Sequence, residues 1–499
     1  MLCKICRHCG LCEGDGSFVE KNISVEKTCS DIPAGKDSLL CEAGIAVDIG
    51  TTTVAAAAFQ LKTGKFLFSE GAENPQRRAG SDVMARISFA VSKDKETAEK
   101  NLLFLKNEIV SCVETLCRNL FEKVSFSFLS DRAGRAHLSK IVITGNTTML
   151  SLFLGLDVSG LAAFPFKSPS DFGFTKSGSE IFTSDFLKNA EVFFPPAPSA
   201  FFGSDAFCSA IACIFKEGGF GIQSGGICDS NADIEPGTNS NADIGSGTNS
   251  AASSLFNKNV FICDAGTNCE MAVWSPRLKK IFTTSSAAGP AFEAQGIECG
   301  MSSSCGAVEK VSFDGDMAKL SVIGGGEPCG ICGSGLLSAV SAFYKKEIIS
   351  ADGTFAGDSS GDKFFLSEKV CLSQNDIRNF QLAKSAVRTG LDVLIDRAGA
   401  ASSSEGNVLF LCGGFGSHLN VKDALVTGMI PDLFGKNGER AFNMGNTALY
   451  GASLFLTDGT LDGSICKKIC GLFKDSEYIN LSEDEGFQEL FIKNLGLPE

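Results

Sequence analysis

The chain has 499 residues, with 44 Lys and Arg against 58 Asp and Glu and a formal net charge of -14. Its length and 44% hydrophobic content suffice for two or more packed lobes and exclude wholesale disorder. The acidic balance argues against a nucleic-acid partner, which needs a basic surface, and three histidines (His8, His137, His418) are too few for a multi-histidine metal site or a strong case for Ser-His-Asp catalysis. No apolar run reaches the ~18–20 residues that cross a bilayer, so no membrane partner is expected. The start, Met1 to Cys6, carries no apolar signal core, which predicts a cytoplasmic protein.

Residues 1–42 form a Cys-rich segment. Cys3, Cys6, Cys9 and Cys12 are spaced C-x2-C-x2-C-x2-C. Three thiolates at this spacing can wrap one face of a cubane cluster, with Cys12, Cys29 or Cys41 as the fourth ligand. A 4Fe–4S cluster is the first expectation, zinc the alternative, and a metal-free segment the third. His8 is read as a bystander. Most of the 21 cysteines are scattered singly, and Cys112, Cys117, Cys208 and Cys412 lie in apolar runs that predict buried, inert thiols.

From residue 43 the pattern becomes that of a globular α/β protein. Residues 45–68 read as three strands with Asp48-Ile49-Gly50-Thr51-Thr52-Thr53 at the first turn. Helical spacing follows over Asn101–Val124, where Leu102, Leu105, Ile109, Val113, Leu116, Leu120 and Val124 form one apolar stripe. A strand at Lys140–Thr144 runs into Gly145-Asn146-Thr147-Thr148 and a helix. Residues 218–257 are a Gly/Ser/Asn/Asp insert with a tandem decapeptide, and they predict a surface loop.

Residues 260–284 repeat the three-strand pattern, with Asp264-Ala265-Gly266-Thr267-Asn268 at its first turn. Asp48 to Phe66 and Asp264 to Phe282 have the same separation, which points to a duplicated domain. A helix over Leu382–Arg397, a buried strand over Asn407–Leu411 running into Gly413-Gly414-Phe415-Gly416, and a small-residue helix near Met444–Ala452 complete the reading.

Asp-x-Gly-Thr at a strand end suits phosphate. Glycine lets the backbone approach an anion, and the following N–H and hydroxyl groups surround its oxygens. The carboxylate holds Mg²⁺ through water or orients an attacking water. Two copies facing each other would clamp one metal–phosphate group.

The order of these elements resembles the acetate/sugar kinase, heat-shock chaperone and actin superfamily. Within it, the chain is similar to the reductive activators of corrinoid enzymes. The resemblance rests on AVDIGTTTV (46–54), NPQRRAGSDVMARISFA (74–90), TGNTTM (144–149), DAGTNCE (264–270), AAGPAFE (287–293), GICGSGLL (330–337), SQNDIRNFQLAKSAVRTG (373–390), GGFGSHLN (413–420) and YINLSEDEGFQELF (478–491). It covers about residues 44–495. It implies two actin-like, ribonuclease H-like lobes at 43–217 and 258–458 with a nucleotide cleft between them, and a C-terminal tail, 459–499, packing on the ATPase domain. It implies ATP and Mg²⁺ as cofactors and reduction of a corrinoid protein from Co(II) to Co(I) in support of methyl transfer. The partners it implies are a corrinoid protein of a methyltransferase system and a low-potential donor such as ferredoxin, with a homodimer as an option.

On this resemblance Asp48 and Asp264 are the catalytic candidates. The nucleotide candidates are Gly50, Thr51, Thr52, Thr53, Gly145, Asn146, Thr147, Gly266, Thr267, Asn268, Gly289, Glu293, Gly333, Gly413, Gly414 and Gly416. Glu293 is assigned to the ribose and Gly413–Gly416 to the adenosine. Two departures stand out: neither the usual N-terminal 2Fe–2S domain nor a middle domain is expected before Asp48, and Cys269 and Cys305 replace the usual Gly and Pro. A small-molecule kinase and a dehydratase-type activating ATPase use similar motifs and are the alternatives.

Overall fold

Two six-stranded sheets carry the chain, each begun by an antiparallel meander. The computed structural model describes residues 40–130, 135–217, 258–266, 268–288, 290–356, 362–402, 406–456 and 470–498. The N-terminal cysteine run and the 218–257 insert lie outside the described residues.

In the first lobe, strands β1 (Leu40–Ile49), β2 (Thr53–Gln60), β3 (Lys65–Glu73), β4 (Arg135–Gly145), β5 (Phe174–Ser177) and β6 (Glu191–Phe194) assemble in the order β3-β2-β1-β4-β6-β5. In the second, β7 (Asn259–Ala265), β8 (Cys269–Ser275) and β9 (Lys280–Ser286) form the meander. An excursion follows, with β10 (Ala307–Asp314), β11 (Met317–Val322) and β12 (Gly330–Ile331) in one small sheet and β13 (Lys363–Phe365) and β14 (Cys371–Ser373) in a hairpin. Strands β15 (Asn407–Cys412), β16 (Ala441–Asn443) and β17 (Glu477–Ile479) then complete the order β16-β15-β7-β8-β9-β17.

The repeat inferred from two turns extends to the sheet. β3-β2-β1-β4-β6 and β9-β8-β7-β15-β16 have matching orders and matching directions. The first two pairings are antiparallel and the next two parallel in both.

Strand alternation sorts side chains between layers. Ile45, Val47 and Ile49 of β1 point into the first lobe's core, while Ala46 faces the other lobe. In β7, Phe261 and Cys263 enter the second core, and Val260 and Ile262 face back. The facing surfaces meet in a third apolar cluster built around the helices Ser204–Glu217 and Thr447–Leu454. These two helices touch so closely that a Cβ on Gly451 would lie 1.9 Å from the Cys208 carbonyl oxygen. Glycine here is a packing requirement.

The helix expected over Asn101–Val124 runs from Lys95 to Ser130. Its earlier start has a local cause: the Asp94 carboxylate accepts from the Thr97 N–H at 2.9 Å, a cap the apolar stripe does not reveal. The second long helix runs from Gln374 to Ala398, opened by a reciprocal Ser373–Asp376 capping box. The C-terminal segment docks on it. Ser385 donates to the Phe491 carbonyl at 2.6 Å, Gln381 to that of Leu495 at 3.0 Å, and buried Lys384 to that of Gly496.

Candidate nucleotide cleft between the lobes

The alternation that buries Ala46 and Ile262 between the lobes sends Asp48 and Asp264 the same way. Each sits one residue before the end of its strand, and each is followed by a tight turn. Gly50 N–H donates to the Thr53 carbonyl at 3.0 Å, and Gly266 N–H to that of Asn268 at 2.8 Å.

Each aspartate is held by a hydroxyl or amide from one of the two connecting helices. Asn446 caps the helix Thr447–Leu454 through Leu449 N–H (2.8 Å) and donates from Nδ2 to Asp48 Oδ2 at 3.1 Å. Ser209, from the helix that closes the first lobe, donates to Asp264 Oδ2 at 2.7 Å and accepts from Thr447 Oγ1 at 3.0 Å. The first lobe's aspartate is therefore gripped from the end of the second lobe, and the second lobe's from the end of the first.

Two further carboxylates join them. Asp205 stands in the first turn of the helix Ser204–Glu217. Glu270 faces Asp264 directly across the β7–β8 pair, where like charges oppose. Burial, despite the Asn446 hydrogen bond, lifts Asp48 from 3.8 to about 7, and the charge of Asp264 adds to the rise. Burial, then Asp48 and Asp264, lift Asp205 to about 8. Asp264 is also raised by burial, against the Ser209 bond, and Glu270 is raised well above the ordinary range by burial, Asp205 and Asp264. The cluster thus holds protons near neutral pH and gains from an arriving cation. Among the described residues no three Asp, Glu, His or Cys side chains are grouped closely enough to hold a metal ion by themselves.

The remaining candidate residues fall into two groups. Around the first turn, Asn146 Nδ2 donates to Thr51 Oγ1 at 3.2 Å while its Oδ1 caps the next helix at Met149 N–H. Gly145 allows β4 to end against β1, since a Cβ there would meet the Ile49 carbonyl oxygen at 2.7 Å. Thr52 is exposed and Thr53 opens β2. The Thr147 hydroxyl is committed to the Ser199 carbonyl at 2.9 Å, so it serves the lobe's own packing.

Around the second turn, Gly413 adopts φ +79°, and a Cβ there would lie 2.4 Å from Asp264 Oδ1. A Cβ on Gly414 would meet nothing within 4 Å, so this face is open. Gly416 passes Ala265, and Asn268 is exposed. Phe415 stacks on Phe292 with centroids 4.3 Å apart, and Gly333 packs under both, a Cβ there lying 1.9 Å from the Phe292 carbonyl oxygen. This brings Glu293, Gly333 and Gly413–Gly416 to one wall. Thr267, Gly289, Cys3, Cys6, Cys9 and Cys12 lie outside the described residues.

Sequence reading passed over Asp205, Ser209, Glu270 and Asn446. Glu270 was legible: a three-residue turn after Ala265 puts it opposite Asp264. Ser-Asp ahead of the apolar run Ala206–Ile214 marks a helix start, which would have put Asp205 at the cleft end. Ser209 and Asn446 carry no such signal, because their role depends on how the two helices meet.

Duplicated lobes, paired aspartate turns and two helices crossing between them define an actin-like ATPase-type fold, the ASKHA class. The chain belongs to the RACo family of reductive activators of corrinoid proteins: a family model described as the RACo middle region matches residues 43–217, and one described as the C-terminal domain of RACo, the ASKHA domain, matches residues 258–499. The expectation that the middle region is missing is thereby corrected, for the segment read as the first lobe is that region.

Two curated relatives are similar over most of the chain. The corrinoid activation enzyme RamQ of Eubacterium limosum is 27% identical over 479 residues, spanning 90% of this chain and 70% of that protein. The Co(II) methylated amine-specific corrinoid protein reductase of Methanosarcina barkeri is 25% identical over 488 residues, spanning 91% and 76%. Among solved structures, a reductive activator for corrinoid, iron-sulfur protein superimposes with a TM-score of 0.66 at 25% identity, covering 93% of this chain and 67% of its own.

Proposed function

We propose that the protein is an ATP-dependent reductive activator that returns a corrinoid protein of a methyltransferase system from Co(II) to Co(I). The observation that carries the reading is the reciprocal grip on Asp48 and Asp264, because it ties both aspartates to the relative position of the lobes. The relatives' names, the corrinoid activation enzyme RamQ and the Co(II) methylated amine-specific corrinoid protein reductase, supply the substrate class.

In this reading Mg–ATP lies between the turns. Phosphates lie at Thr51–Thr53, whose N–H groups donate to their oxygens, and at the turn Gly266–Asn268; Gly413–Gly416 flank the adenosine, and Glu293 reaches the ribose. When bound, Mg²⁺ neutralises phosphate charge. The residues suit it as second-sphere ligands, since four carboxylates surround the space without closing on a bare ion. Asp48, whose pKa burial raises to about 7 in the empty cleft and whose ionised form an arriving cation favours, takes a proton from the attacking water.

ATP and water yield ADP and phosphate; separately, one electron from a low-potential donor such as ferredoxin reduces Co(II) to Co(I). Cleavage changes which lobe arrangement is favoured, and that motion alters the bound corrinoid protein. A two-state bias of ~5.5 kcal/mol is equivalent to roughly 240 mV for a one-electron couple at ~59 mV per tenfold. That is a useful share of an uphill reduction. The N-terminal cysteines are our candidate for a resident 4Fe–4S cluster, tested by anaerobic purification with iron and zinc analysis.

The experiment for the main reading is anaerobic. Co(II) corrinoid protein, a low-potential reductant and the purified chain are mixed, and Co(I) absorbance is followed with and without Mg–ATP. ATP-dependent Co(I) formation supports the activator. Phosphate transfer to a small acceptor, with no response to the corrinoid protein, supports a kinase instead.

A further inference from the structure

Behind the first phosphate turn lies a guanidinium with no exposed surface. Arg86, on the helix Val83–Ala90, donates from Nη2 to the Thr51 carbonyl at 2.5 Å and from Nε to that of Gly80 at 3.1 Å. Nη1 lies 3.4 Å from Gln76 Oε1 and 3.0 Å from Met149 Sδ. Gln76 is fully buried and anchored to the Leu105 carbonyl at 3.0 Å. Among the described residues Arg86 forms no ion pair; Asp82, whose carboxylate caps the Arg86 helix through Ala85 N–H, acts on it only at longer range. Burial lowers its pKa to about 10, which leaves it charged at neutral pH.

Asn74 completes the arrangement. Its Nδ2 donates to the Gly50 carbonyl at 2.8 Å and its own N–H to that of Thr52 at 2.9 Å. Three successive carbonyls of the turn, Gly50, Thr51 and Thr52, are thus drawn to one side. In a trans peptide the N–H lies opposite the C=O, so the amides that follow them are turned to the other side. Successive amides presented this way make an anion-binding concavity.

We propose that Arg86 is a positioning residue for the triphosphate: with Asn74 and Gln76 it clamps the carbonyls of the first turn so that its amides face phosphate, and its unneutralised charge is answered by the anion. A buried cation lacking a carboxylate partner is costly in the empty protein and is compensated when phosphate arrives. Both the fork geometry and the charge are needed, so lysine replaces it only in part. The inference rests on the nucleotide reading above and deepens it.

The test separates phosphate recognition from general packing. Binding of the Mg²⁺ complex of a nonhydrolysable ATP analogue and of adenosine is measured by calorimetry for the wild type, Arg86→Met and Arg86→Lys. Arg86→Met is expected to weaken the analogue about tenfold or more, the scale of a charge-assisted contact, with adenosine affinity unchanged. Arg86→Lys falls between. Equal weakening of both ligands, or of neither, overturns the inference. If Arg86→Met does not fold, the ratio of the two affinities in Arg86→Lys decides by the same criterion. Failure of the wild type to bind the analogue contradicts the nucleotide reading itself, whereas a binding wild type with unaffected variants contradicts only the role of Arg86.

Discussion

Replacing Asp48 by Asn should stabilise the nucleotide-free protein above neutral pH while removing its ATPase activity. The folded protein holds this carboxyl's pKa at about 7 against 3.8 when unexposed to such burial. Between those values the folded state keeps a proton that the unfolded chain releases. The group's contribution therefore falls as pH rises from about 4 to about 7 and stays unfavourable above that. At 1.36 kcal/mol per unit, the rise is worth roughly 4 kcal/mol, an upper value because Asp205 and Asp264 share the repulsion. The amide keeps an oxygen for Asn446 and carries no charge. Thermal unfolding of the wild type and Asp48→Asn without nucleotide should differ by a few degrees in favour of the variant at pH 8, by less than half as much at pH 5, and converge below about pH 4. ATP hydrolysis by the variant should fall about a hundredfold or more, the scale of lost general-base catalysis. A variant that is less stable at pH 8, or shifted equally at both pH values, refutes the electrostatic account of the cleft.

Ser209→Ala removes the hydroxyl between Thr447 and Asp264 and should lower ATPase turnover about tenfold with a stability loss of about 1 kcal/mol, read by turnover and urea unfolding. Gly413→Ala combines a positive φ with a methyl against Asp264, so nucleotide binding should be lost and stability reduced by about 1–3 kcal/mol; wild-type affinity would contradict this packing. Gly451→Ala drives a methyl into the Cys208 carbonyl and should cost about 1–3 kcal/mol in chemical denaturation. Lys384 is buried and lowered from 10.5 to about 7 by burial and by Arg388, so the folded state gives up a proton the unfolded chain retains. Its contribution therefore rises from about pH 7 to about 10.5, and Lys384→Met should flatten stability between pH 7 and 9.

The fold was legible wherever periodicity ran through one element. The twin meanders, the stripe from Leu105 to Val124 and the buried strand Asn407–Cys412 all show their burial in spacing alone. Element ends were less visible, because Asp94 and Ser373 act through local capping hydrogen bonds that the apolar spacing does not register. The aspartates were legible because each precedes a glycine turn at a strand end. Their partners were not. Ser209 and Asn446 reach Asp264 and Asp48 only through the crossing of two helices separated by nearly half the chain. Arg86 was quoted within a family-specific string, yet nothing in that string shows that its guanidinium turns inward to the Thr51 carbonyl.

The central claim is that both aspartate turns close on one triphosphate. A crystal structure with Mg²⁺ and a nonhydrolysable ATP analogue tests it most directly. The account predicts phosphates between the turns after Asp48 and Asp264, with the base beside Gly414. Phosphates bound at one turn only, or a ligand lodged outside the cleft, would contradict it.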